Sequence, residues 1–292
     1  MRWSAIARVV VSLALLAGVA WWIDPAALGE RLRTVEVPWL LTAIALHAAQ
    51  TAISAWRWRY TAGRLGVGLG LPEALREYFV GNLLNQVLPG GVAGDAGRAW
   101  RHVRAGAPSG AAIQAVVLER AAGQLVMALL LIPSLVTLLT PAPPALVWGL
   151  ATAVALALAV ASHWLPPPPP AGSGIRTHLR RGLLARGVIL VQAGSSILVV
   201  GAYLLAFLAA ARALDVTLPA ALLLPLVPPV LLAMLVPVTV AGWGLREGAA
   251  AAVWAVAGLA PADGAAIAVC YGVTALFAAL PGALFLLPRR VT

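Results

Sequence analysis

The sequence predicts an all-α, polytopic integral membrane protein, and three observations carry that prediction. Of 292 residues, 62% are hydrophobic and only 10% are charged, with a mean hydropathy of +0.93. Soluble domains are about half apolar and about a quarter charged. Apolar runs of about 20 residues, the length needed to cross a hydrocarbon core, recur along the chain. The cationic residues gather between those runs, as the positive-inside rule requires.

The spans are expected in order. The first covers about Ser4–Ile23. Its Gly18-Val19-Ala20 has the small-x-small form of a signal-peptide site, but the spans that follow favour a retained helix. The second covers about Pro38–Trp56. Two charge-poor runs, about Ala111–Leu139 and Ala145–Leu165, give the third and fourth. The fifth is about Leu184–Ala211 and the last about Ala262–Leu287. Trp3, Trp21, Trp22, Trp39, Trp56, Trp58, Trp148 and Trp164 fall near these limits, the position of an aromatic belt.

Arg sets the expected orientation. Arg2 and Arg8 place the N-terminus inside, and the mixed loop Asp24–Val37 lies outside. Arg57, Arg59 and Arg64 return inside, as do Arg98, Arg101 and Arg104. The stretch 72–97 must then leave and come back on one side, and its apolar run from Tyr78 to Leu88 is too short to span. It reads as an interfacial helix plus a re-entrant loop. The loop 166–186, with Pro166–Pro170 and Arg176, Arg180, Arg181 and Arg186, is a stiff cytoplasmic linker. Arg289 and Arg290 place the C-terminus inside. The stretch 218–260 then begins and ends outside, as a second re-entrant pair or as two full helices. The plan is one membrane domain, 1–292, with about six full spans and two broken hairpins, or up to eight helices.

Composition also excludes chemistry. All 20 basic residues are Arg, against 10 acidic residues. Without Lys there is neither a P-loop nor a pyridoxal Schiff base. The single Cys270 forms no disulfide framework, and the four His have no metal-ligand spacing. No cofactor or metal is expected, and no enzyme. The net charge of +10 points to anionic lipid rather than nucleic acid.

Two interruptions hold the candidate site. The first runs Asn82-Leu83-Leu84-Asn85-Gln86-Val87-Leu88-Pro89-Gly90-Gly91-Val92-Ala93-Gly94-Asp95-Ala96-Gly97-Arg98. The second runs from Pro237 through Gly242-Trp243-Gly244-Leu245-Arg246-Glu247-Gly248. In each, Pro is followed by four residues and then Gly, with an acid and an Arg in the next turn. Each is expected to break, turn on Gly and restart as a helix. Paired broken segments in opposed halves suggest an inverted repeat and point to a transporter binding site. Restarting helices aim N–H groups and a positive dipole end at the space between them. Arg98 and Arg246 would make that space attractive to a phosphate. Asp95 is placed to cap its helix or to pair with Arg98. A purely structural role is the alternative, with Gly244-x-x-x-Gly248 serving close packing. Glu119 and Arg120 lie within the third span, where charges usually face a partner or a cavity. At least one of them needs a partner elsewhere, Asp95 for Arg120 or Arg246 for Glu119, unless the span starts later and both lie at the interface.

With these residues assembled, the chain resembles the transmembrane, flippase-like domain of lysylphosphatidylglycerol synthases. The matching features are Arg57-Trp58, then Asn85 with Leu88-Pro89-Gly90, Gly94-Asp95 and Arg98, then Leu118-Glu119-Arg120. Pro237 and the run Gly242 to Gly248 complete the set. The resemblance implies an inner-membrane protein of bacteria linked to lipid translocation, without the soluble lysine-transferring domain. The expected function is translocation or binding of an anionic or polyprenyl-linked lipid. The expected site comprises Asn85, Pro89, Gly90, Gly94, Asp95, Arg98, Glu119, Arg120, Gly242, Gly244, Arg246 and Glu247. Asp95, Glu119 and Glu247 would position the Arg residues and carry coupling protons. Partners are membrane lipids, with no nucleic acid, and Gly244-x-x-x-Gly248 is compatible with a homo-oligomer. The rival is a non-transporting accessory protein of a lipid or glycolipid modification pathway.

Overall fold

A computed structural model describes residues 2–22, 35–88, 91–170, 172 and 174–286, with backbone only for residues 2–5. The chain is an all-α polytopic membrane protein. Its longer helices are α1 (Arg2–Trp22), α2 (Val37–Arg64), α3 (Leu71–Val87), α4 (Ala93–Arg104), α5 (Ser109–Leu139) and α6 (Pro144–Ala161), followed by α7 (Val188–Ala213), α8 (Val227–Ala233), α9 (Leu245–Val256) and α10 (Pro261–Ala279). Among the described residues, five helical stretches are long and apolar enough to cross a membrane: Val37–Arg64, Ser109–Leu139, Pro144–Trp164, Val188–Ala213 and Pro261–Leu284. Ile6–Trp22 and Ala220–Ala233 are shorter apolar helices. The expected loop Asp24–Val37 lies largely outside the described residues, as do Arg289 and Arg290.

The outward surface is apolar. α6 buries no residue at all, and Leu125, Leu129, Ile132, Leu150 and Val154 stand exposed. Such faces are stable only against lipid. Trp21, Trp22, Trp39 and Trp164 are exposed near helix ends, as expected of a belt, while Trp56 is exposed within α2. Trp58 departs from that expectation. It is fully buried, because α2 continues eight residues past Trp56 and carries Trp58 into the core.

Small residues set the helix spacing. α2 and α7 form the most extensive helix pair, joined by hydrogen bonds from Arg57 to Ser196 and from Gln192 to Thr61, each 2.8 Å, and both helices bury small residues, Ala43, Ala55 and Ala62 on α2 and Ser195, Ser196, Ala206 and Ala210 on α7. Without a hydrophobic drive between helices in lipid, close packing of small residues takes its place. Two cores result. One gathers Trp58, Tyr78, Ala115 and Leu118 beneath the first interruption. The other gathers Phe207, Leu226, Trp254, Ile267 and Tyr271 beneath the second.

The first interruption forms a helical hairpin. α3 stops at Val87 and α4 starts at Ala93, with Gly91 at φ +63 in the turn. The arms touch backbone to backbone, so that a Cβ on Gly94 would lie 1.9 Å from the Gly81 carbonyl oxygen. Arg101 Nε on α4 donates to Glu77 Oε2 on α3 at 2.5 Å, so Glu77 is a hairpin clasp as well as a surface charge. Gly94→Ala therefore forces the arms apart. It is expected to cost about 1–3 kcal/mol, read as a lower melting temperature of the detergent-solubilised protein.

The second interruption runs from the end of α8 to the start of α9. It turns through Ala241 (φ 51), Gly242 (φ 79) and Gly244 (φ 87), and restarts at Leu245. α9 has 12 residues, about 18 Å at 1.5 Å per residue, short of a ~30 Å hydrocarbon core. Neither arm of 218–260, Ala220–Ala233 or Leu245–Val256, has the length of a full span. α1 packs on this break. The Val240 N–H donates to Ser12 Oγ at 2.8 Å. A Cβ on Gly244 would meet Leu15 Cβ at 2.5 Å, and one on Gly248 would meet Val19 at 3.4 Å. The Gly244-x-x-x-Gly248 face is thus filled within the chain, by α1.

The proline run is tied down at two points. Arg181 donates to the Pro169 carbonyl at 3.1 Å, and the Arg186 N–H donates to the Pro166 carbonyl at 3.2 Å.

Candidate functional site

One charged network binds five helices. Glu119 on α5 is completely buried and accepts from three partners. Arg57 on α2 reaches Oε1 at 2.6 Å through Nη2 and at 3.2 Å through Nε. Arg98 on α4 reaches Oε2 at 2.8 Å. The Tyr78 hydroxyl on α3 lies 3.1 Å from both oxygens. Arg57 also donates to Ser196 on α7 at 2.8 Å. Glu119 lies ten residues into α5, about 15 Å along it. A charge at that depth is strongly unfavourable unless paired.

The network continues toward the hairpin turn. Arg98 Nε donates to Asp95 Oδ1 at 3.0 Å, and Arg120 approaches the same oxygen at 2.9 and 3.1 Å. Asn85 Nδ2 donates to Asp95 Oδ2 at 3.3 Å, while Asn85 Oδ1 accepts from the Gly94 N–H at 2.7 Å. The Asn85 side chain therefore holds both ends of the turn. Arg98 lies between the Tyr78 and Trp58 rings, at 4.3 and 4.7 Å.

At the second break the pairing is local. Glu247 accepts from Arg246 at 2.6 and 3.0 Å and from the Gly244 N–H at 2.6 Å. It caps α9 and holds the Arg with one carboxylate. The Arg246 guanidinium sits 4.7 Å from the Trp243 ring and crosses α10 where Gly272 has no side chain. A Cβ there would lie 2.0 Å from Nη2.

Between the two breaks lies a cavity of about 240 Å³. The first break contributes Asn85, Gln86 and Gly91, and the second contributes Pro237, Thr239, Gly242 and Arg246. Arg120 also lines it, with its side chain 33% exposed. The network around Arg120 holds three guanidiniums (Arg57, Arg98, Arg120) and two carboxylates (Asp95, Glu119), a surplus of one positive charge. Arg246 and Glu247 are neutral together.

Of the residues expected at the site, Asn85, Arg120, Gly242 and Arg246 line the cavity. Gly94, Asp95, Arg98, Glu119, Gly244 and Glu247 stand behind it. Pro89 and Gly90 lie outside the described residues. Arg120 meets Asp95, as expected. Glu119 does not meet Arg246, because Arg57 and Arg98 occupy both its oxygens and Glu247 serves Arg246. The helix starts also differ from expectation. The Gly94 and Gly244 N–H groups are taken by Asn85 and Glu247, so it is the guanidiniums that give the cavity its positive character.

Sequence reasoning missed Arg57, read as a topological charge. A signal was present. His47, Gln50, Ser54, Arg57 and Thr61 recur at helical spacing along α2, and all are buried. A polar stripe on an apolar span faces an interior partner.

Fold and site together define an all-α membrane protein with a buried ion network and a cavity between two broken hairpins. The chain belongs to the lysylphosphatidylglycerol synthase TM region family, which it matches over residues 9–282. No curated protein matches it as a relative.

Proposed function

We propose that the protein binds the headgroup of an anionic lipid between its two breaks and moves that lipid across a bacterial cytoplasmic membrane. One observation carries this reading: a single cavity receives Arg120 from beside the first break and Arg246 from the second, and the ion network that includes Arg120 has one surplus positive charge. Arg binds phosphate through paired, charge-assisted donors. Binding between two broken helical segments is the arrangement of transporters that alternate access around a fixed site. Family membership supports a role tied to lipid modification or flipping.

In this reading Arg120 and Arg246 hold the phosphate, and Asp95 and Glu247 orient them. Acyl chains stay in the bilayer. The protein does no covalent chemistry, and both termini face the cytoplasm. The test is a reconstituted-liposome assay with headgroup-labelled phosphatidylglycerol. Wild type is expected to move the lipid well above the protein-free rate, and Arg246→Ala to lose about 10- to 100-fold, the weight of one charged hydrogen-bonding group. Wild-type movement at the protein-free rate for every anionic lipid tried sinks the proposal.

A further inference from the structure

The cavity wall holds more neutral hydrogen-bonding groups than a phosphate needs. Asn82, Asn85, Gln86 and Gln124 present carboxamides there. Three further lining residues, all more than nine-tenths buried, have an atom with no hydrogen-bond partner: His47 Nε2, Gln50 Oε1 and Thr239 Oγ1. Such orphans are rare in folded proteins. Here three border one cavity, from α2 and from the second break.

The wall is equally informative in what it lacks. Among its described residues none is Asp or Glu. The nearest carboxylates, Asp95 and Glu247, each already hold Arg and a neutral donor. With the phosphate taken by Arg120 and Arg246, an ammonium entering the cavity would meet two guanidiniums and no carboxylate free to pair with it, which is unfavourable away from water. A hydroxyl both donates and accepts, as do the carboxamides that face it. The volume, about 240 Å³, is below the ~300–1,000 Å³ of sites for drug-sized ligands, and suits a head without its chains.

We infer that the site takes a phosphate ester whose head is uncharged and rich in hydroxyl groups, a glycerol, inositol or sugar phosphate, and rejects a head bearing an amine. This rests on the headgroup site proposed above and names its substrate class. Arg120 and Arg246 hold the phosphate. Gln50, Thr239 and the carboxamides hold the hydroxyls.

The test is native mass spectrometry of the full chain in detergent, titrated with phosphatidylinositol, phosphatidic acid and lysylphosphatidylglycerol. Phosphatidylinositol is expected to bind about tenfold tighter than phosphatidic acid, and lysylphosphatidylglycerol no tighter than phosphatidic acid. Gln50→Leu, and separately the near-isosteric Thr239→Val, should weaken phosphatidylinositol several-fold more than phosphatidic acid. Competition by soluble inositol phosphate would identify the free head as sufficient, and its failure to compete would assign the site to the lipid. Equal binding of all three lipids, or tightest binding of lysylphosphatidylglycerol, overturns the inference. If that binding is lost in Arg120→Gln, the phosphate site stands and only the head assignment falls. If no lipid binds, both fall.

Discussion

Replacing Glu119 with Gln is expected to destabilise the protein by about 3–5 kcal/mol, and to lower its melting temperature in detergent by roughly 10 °C. The carboxylate has no exposed surface and closes contacts from α2, α3 and α4 onto α5. An amide of the same shape keeps one accepting oxygen, turns the other into an N–H donor and removes the charge. One guanidinium then faces a donor: Arg57, left with Ser196, or Arg98, left with Asp95. Breaking a buried pair from one side leaves a desolvated charge, which is worse than having no pair at all. Pairing the change with Arg57→Gln should therefore recover part of the loss. If the single variant melts with the wild type, the network does not hold these helices together.

Arg120→Gln is expected to behave in the opposite way, keeping the fold and losing the function. Its side chain is partly exposed to the cavity, and its partner Asp95 keeps Arg98 and Asn85 when it is gone. No buried charge is orphaned. What disappears is the positive surplus of the network and one guanidinium fork. Transport of labelled phosphatidylglycerol should fall about 10- to 100-fold with little change in melting temperature. Arg120→Lys should land between, because it restores charge without the fork. Loss of transport only in step with loss of folded protein would make Arg120 a structural residue instead.

The two breaks were legible because Pro and Gly have few structural meanings inside an apolar helix. Gly242 and Gly244 sit at positive φ, and Gly94 lies against a carbonyl that leaves no room for a Cβ. Such positions announce themselves in a sequence. The pairing of Arg120 with Asp95 was legible for a related reason, since a charge deep in a span needs a partner.

Arg57 was hidden by the positive-inside rule itself. A basic residue directly after an apolar run is ordinarily a topological mark, and the span was expected to end at Trp56. α2 instead runs to Arg64, so Arg57 falls inside. The partner of Glu119 depended on that boundary. With Arg57 placed outside the bundle and Arg98 assigned to Asp95, Glu119 was given to Arg246 instead. The capping of Gly94 by Asn85 needs the hairpin to close over nine residues, a tertiary event no local pattern encodes.

The central claim is that the two breaks share one cavity and that an anionic headgroup enters it. The most direct measurement places a photo-crosslinking amino acid at Gln124, which lines the cavity, and in a second protein at Leu125, which is 59% exposed on the outer face. Both are reconstituted with headgroup-labelled phosphatidylglycerol. Label at position 124 should be displaced by excess unlabelled phosphatidylglycerol and not by phosphatidylcholine, while label at position 125 should respond to either lipid equally. The same response at both positions, or no label at 124, would contradict a headgroup site between the breaks.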